Sequence, residues 1–163
     1  MIGRVVALVA GALMVWAASA AAGQTAVPRG GFSIWVPDKW TVTIKRTGIY
    51  AANPNDELYL VASRIGFPDA NNLDDDAQAF LSYELDDYKI SGSEDSNVGG
   101  MPSRALQGTG TSDKDSIEFT SEAIDPGPDH DVVGVLVYGD PDAMKTEQGQ
   151  ATVKRILSSL KVK

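Results

Sequence analysis

The stretch Val132-Val133-Gly134-Val135-Leu136-Val137-Tyr138 decides the fold. It is almost wholly apolar, so an extended chain here leaves neither face fit for water. Such a strand belongs in the middle of a sheet, with a layer of structure above and another below. Downstream, Asp140-Pro141 is a strong helix start, because aspartate caps free amides and proline suits the first helical position. The helix it predicts carries Val153, Ile156, Leu157 and Leu160 at i, i+3, i+4 and i+7, and Gly149 inside it marks a kink or a later true start. Upstream, Asp125-Pro126-Gly127-Pro128-Asp129 is a loop. Before it, Arg104 to Thr111 and Ser116 to Ile124 read as a hairpin across Ser112-Asp113-Lys114-Asp115, its second arm carrying Ile117, Phe119, Ser121 and Ala123 on one face.

Further toward the N-terminus, Phe32, Ile34 and Val36 alternate with Ser33 and Trp35 until Pro37-Asp38, and Trp40, Val42 and Ile44 alternate with Thr41, Thr43 and Lys45. Ile49 to Ala52 extends the pairing, Asn53-Pro54-Asn55-Asp56 breaks it, and Leu58 to Gly66 is a further strand. A helix is predicted from Leu73 to Ile90, capped by Asn71-Asn72 and opened by Asp74-Asp75-Asp76, with Leu73, Ala77, Phe80, Leu81, Leu85 and Tyr88 in a sector about 140° wide. Ser91 to Gly100 is polar and glycine-rich, a short edge strand or loop. Gly23 to Gly31 is a polar lead-in without periodicity. There is no internal repeat. The order of strands, helix, strands and helix predicts an α+β chain, an α-β-α sandwich whose mainly antiparallel sheet is covered by two or more helices, in one domain over 32–163.

Residues 1–22 have the three-part layout of a secretory signal peptide: the positive start Met1-Ile2-Gly3-Arg4, the apolar run Val5 to Trp16, and the small-residue stretch Ala17 to Ala22, with cleavage sites after Ala20 or Ala22. Loss of the leader takes Arg4 with it and moves the formal net charge from −8 to −9. An anion of that size is a poor nucleic-acid ligand, because phosphate neutralisation needs clustered cations. The clusters available are Lys45-Arg46 and Lys154-Arg155 with Lys161 and Lys163, and the last group falls near a predicted helix C-terminus. The absence of cysteine excludes disulfides, thiolate metal sites, cysteine nucleophiles and the acylated cysteine of a bacterial lipoprotein. The expected location is periplasmic or secreted, without a stable membrane anchor.

Gly31-Phe32-Ser33-Ile34-Trp35-Val36-Pro37-Asp38-Lys39-Trp40 resembles the opening strand and turn of PsbP-like domains. Ile156-Leu157-Ser158-Ser159-Leu160-Lys161-Val162 is similar to their terminal helix, and Gly99-Gly100-Met101-Pro102-Ser103-Arg104-Ala105 to their mid-chain Gly-x-Pro turn. The resemblance spans nearly the whole chain after the leader and points to exported bacterial members of the DcrB type. It implies a mostly non-enzymatic superfamily of binding modules, and it carries over no binding residue, cofactor or metal ligand.

The chemistry-bearing residues are few. His130 is the single histidine, flanked by Asp129 and Asp131, and reads as a solvated loop residue. No Gly-x-Ser-x-Gly, Gly-x-x-x-x-Gly-Lys or Gly-x-Gly-x-x-Gly motif is present, and Ser158-Ser159-Leu160-Lys161 matches Ser-x-x-Lys without its companion motifs. Asn72, Asp74 and Asp76 have the first spacings of an EF-hand loop, but Ala77 and Tyr83 stand where Gly and Glu are required. Looser calcium sites are conceivable over Asp125 to Asp131 and at Asp140 and Asp142. Glu84 falls inside the apolar helix sector, where burial raises a carboxyl pKa. Trp35 and Trp40 read as core or rim packing rather than a carbohydrate platform. The sequence therefore predicts an exported non-catalytic binding or accessory module whose partner is a protein or small ligand. A calcium-binding protein and a hydrolase with an unrecognised site are the alternatives.

Overall fold

The computed structural model describes residues 22–28, 31–66 and 72–163. The predicted leader, apart from Ala22, lies outside the described residues, as does the candidate cap Asn71. The elements are β1 (Gly23–Ala26), β2 (Phe32–Pro37), β3 (Thr41–Ile44), β4 (Gly48–Ala52), β5 (Leu58–Ile65), α1 (Leu73–Glu84), β6 (Asp87–Val98), β7 (Met101–Ser112), β8 (Asp115–Ile124), β9 (Val132–Gly139), α2 (Pro141–Lys145), α3 (Glu147–Ser158) and β10 (Lys161–Val162).

Seven strands form one sheet in the order β3-β4-β5-β9-β8-β7-β6, every neighbouring pair antiparallel. β9 is the fourth of the seven and is buried from Val133 to Gly139, as its composition predicts. Val133, Val135 and Val137 enter a core shared with β2 and α3, while Leu136 and Tyr138 enter a second core under α1. α1 thus covers one face. The other is covered by α2, α3 and a small sheet of order β1-β2-β10. The predicted α-β-α sandwich is the observed architecture. The hairpin of β7 and β8 turns through Asp113-Lys114, and β6 and β7 turn through Gly99-Gly100.

Several local expectations give way to non-local pairing. The lead-in contains β1, which pairs with β2 from Gly23↔Pro37 to Ala26↔Ile34. The helix predicted to reach Ile90 stops at Glu84, and Leu85 is already extended. Tyr88 and Ile90 fit a helical stripe and a strand alternation equally well. The twelve-residue β6, laddered along all of β7, decides between them. The Ser91 to Gly100 segment is therefore the far end of a long edge strand. The strands read at Phe32–Val36 and Trp40–Ile44 lie in different sheets, so the expected buried row of the second is incomplete and Ile44 is exposed.

The single final helix is two. Thr146 ends α2 and caps α3, its Oγ1 accepting from the Gly149 amide at 2.9 Å. The segment compared with a terminal helix leaves helical structure after Ser158, and Lys161-Val162 pairs with Ser33 and Phe32. The Lys161 cation thus sits on a strand, and Arg155 is the base in the last turn of α3.

The corner between α2 and α3 reverses an ordinary rule. Glycine to alanine inside a helix normally stabilises by about 1 kcal/mol. A Cβ on Gly149 would lie 2.1 Å from the carbonyl oxygen of Ala143, which is backbone and cannot swing aside. Gly149→Ala is therefore expected to destabilise by about 1–3 kcal/mol in urea unfolding, as overpacking does.

Candidate functional site

On the α3 side, the sheet extends past the helices that cover it. Between α2–α3 and the outer strands β6, β7 and β8 lies a groove of about 780 Å³. Its floor follows from register. Glu94, Ala105, Glu122 and Val135 form one cross-strand row, and Gln107 and Thr120 are paired in the next. Ala105 and Thr120 are too short to fill the space beneath α3. Met144, Val153 and Leu157 supply an apolar wall, and Lys145 and Lys154 stand among the lining residues.

Glu122 is the unusual member. It is 6% exposed, and its Oε2 has no hydrogen-bond partner. Burial pushes its carboxyl pKa up, the Ser96 hydroxyl holds it down in part by hydrogen bonding, and nearby Glu94 pushes it up further. Glu118, four residues away on the same face, is paired instead with Lys145 at 2.8 Å. A concave site with one buried carboxyl short of a partner suits ligand recognition.

The residues singled out from sequence lie elsewhere and are not brought together. His130 is exposed in the β8–β9 loop, beside Asp131, which pairs with Arg64. Glu84 is the last residue of α1 and half-buried. Burial pushes its pKa up and Lys45 pulls it down. Ser159 accepts the Trp35 amide at 2.8 Å and donates to the Ile156 carbonyl at 2.7 Å, a packing role. Trp40 is buried, and the guanidinium of Arg155 stacks 4.0 Å from the centroid of Trp35, so neither indole is an open platform.

The carboxylates considered for calcium are engaged locally. Asp125 accepts from the Gly127 amide, Asp140 caps α2 through the amides of Asp142 and Ala143, and Asp74 pairs with Arg104 at 2.8 Å. Among the described residues no group of three or more acidic or histidine side chains is placed to hold a metal.

Sequence reading passed over Glu122 because Glu118, Thr120 and Glu122 alternate with Ile117, Phe119 and Ser121, the pattern of a strand with one wet face. Ile124, apolar on the wet side, was the available signal, and it is fully buried in the α3-side core.

The raised pKa has a consequence for stability. The folded chain binds the Glu122 proton more tightly than the unfolded chain does, so stability falls as pH rises from the ordinary glutamate range through the raised value. Glu122→Met removes the orphaned carboxyl and is expected to stabilise by about 1–3 kcal/mol near pH 7, with the advantage shrinking near pH 4. Thermal unfolding at the two pH values measures both.

No protein-family model matches the chain, and no curated protein matches it in sequence. Solved structures do match. The solution structure of PsbP from the cyanobacterium Synechocystis is 12% identical with a TM-score of 0.62, covering 90% of this chain and 96% of that one. LpqN of Mycobacterium tuberculosis, described as involved in cell envelope biogenesis, is 18% identical with a TM-score of 0.54, covering 80% and 82%. The Ran-binding protein Mog1p of Saccharomyces cerevisiae is 9% identical with a TM-score of 0.57, covering 86% and 96%. At these identities the likeness is one of fold, and the resemblance read from the sequence holds at that level: the chain has the fold of the PsbP-like superfamily.

Proposed function

We propose that this chain is an exported, non-catalytic binding module that receives a small ligand or a segment of a partner protein in the groove between α3 and β6–β8. The groove is the observation that carries this reading. Its volume of about 780 Å³ lies within the range of ligand sites, and it combines an apolar wall with a few polar groups. The single histidine lies outside it, so a serine–histidine pair is not built there. The fold shared with a Ran-binding protein and an envelope-biogenesis protein is compatible with binding, although a fold by itself assigns no activity.

A screen of neutral fragments by amide chemical shift tests the site. Perturbations are expected to cluster at Ala105, Thr120, Val153 and Leu157. Thr120→Phe, which fills the floor with a strand-compatible ring, should weaken those fragments by about tenfold or more while the remaining amide spectrum stays native. Hits confined to other surfaces would refute the groove reading. A turnover of esters or phosphates lost on changing Glu122 or His130 would replace the module by an enzyme.

Export rests on the leader. The chain recovered from a native host is expected in the periplasmic or secreted fraction, with a mass corresponding to cleavage after Ala20 or Ala22. Recovery of full-length chain from the cytoplasm would contradict it.

A further inference from the structure

We infer that the groove selects a ligand bearing an alkyl-linked cation, an ammonium or guanidinium group, whose charge pairs with Glu122 while its carbon chain lies along Met144, Val153 and Leu157. This deepens the groove reading and rests on it.

Three features converge. Oε2 of Glu122 lacks a partner in a residue more than nine-tenths buried, and a carboxylate there gains most from a donor that brings its own positive charge. The charges facing the site are Glu94 from β6, Glu118 from β8, Lys145 from α2 and Lys154 from α3, whereas β7 presents Ala105 and Gln107 and β9 contributes no lining residue. Lys145 is committed to Glu118. The remaining groups, Glu94 and Glu122 against the exposed Lys154, favour a cation, as does the formal net charge of −8 over the whole chain. The third feature is the wall: an apolar side strip with an acid at the floor matches an aliphatic stem ending in a charge, the shape of agmatine or of a lysine or arginine side chain.

An ionised Glu122 is the binding form. Burial holds the carboxyl pKa up, so a cation must supply the charge partner that water no longer provides, and binding is coupled to loss of the proton. Affinity then rises with pH through the raised value and levels off above it.

The test titrates the full chain with agmatine, with the blocked peptide acetyl-Leu-Arg-Leu-amide, and with hexanoate as the anionic counterpart, followed by amide shifts and calorimetry. Agmatine or the peptide is expected to bind with a Kd near or below about 1 mM, more weakly at pH 5 than at pH 8. Binding by agmatine marks a free small-molecule cation as the source, and binding by the peptide alone marks a basic side chain of a partner. Glu122→Gln should weaken the binder about tenfold or more. Should that variant fold poorly, Lys154→Glu on the exposed rim offers a second reading and should tighten binding severalfold. No shift at about 10 mM of either cation, a preference for hexanoate, or indifference to both variants overturns the inference. If neutral fragments still occupy the groove in that case, the groove reading stands and only the cation preference falls.

Discussion

The two-sided burial of β9 is the constraint on which the rest of the structure depends. Each fully buried valine or leucine is worth about 1.5–3 kcal/mol, but only if both faces are sealed. β9 is hydrogen-bonded on both flanks, to β5 over eight register positions and to β8 over seven. Neither ladder can slip by one residue without exchanging the valine face for the leucine–tyrosine face. The approach of α1 is set here too: a Cβ on Gly134 would fall 2.7 Å from the ring of Phe80, so the glycine in the apolar run is what lets the helix settle onto the strand. The second layer has to come from distant segments, and it is assembled from β1, β2, α3 and β10, which lie at opposite ends of the chain.

That cover is narrower than the sheet. α3 packs over β2 and the centre, while β6, β7 and the adjoining part of β8 run out from beneath it. The same geometry leaves β6 as an edge of twelve residues. Its bulge between Ile90 and Gly92 and its charges Lys89, Glu94 and Asp95 are the usual protections against pairing with another chain. On the opposite face Arg104 braces this overhang, bonding Asp74 of α1 at 2.8 Å and Asp95 of β6 at 3.1 Å. The groove is thus held between a fixed floor and two helices whose corner is locked by Thr146 and Gly149.

The parts of this fold that could be read in the sequence are those whose cause is local. An apolar run demands burial wherever it lies, Asp140-Pro141 caps a helix whatever follows, and Asn72 accepts from the Asp74 amide as its position before Leu73 foretold. What depends on a distant partner was not legible. Tyr88 and Ile90 suit either period until β7 claims them, and Gly23–Ala26 has no pattern of its own because its order comes from β2. The site belongs to the second kind. Glu122 sits where an ordinary outward residue of a hairpin would sit, and only the position of β8 between β9 and β7, with α2 packed across it, turns outward into buried.

A buried carboxyl with an idle oxygen is a poor choice for stability alone, since an apolar residue of like volume would leave no orphaned acceptor. Elsewhere in this chain acids near the surface are given donors: Glu118 has Lys145, Asp131 has Arg64 and Asp74 has Arg104. Glu122 is given no cation, only the Ser96 hydroxyl, and its row places alanine on one side and valine on the other, leaving Oε2 without a partner. Sealing the site was within the means of the sequence, because a larger side chain at 105 or 120 would have roofed the carboxyl or filled the space. Short residues at both positions keep the floor low and leave the carboxyl beneath an unfilled groove. Function in this fold is therefore sought in that overhang, where packing has been left incomplete around one acid, and not in the sealed cores on either side of β9.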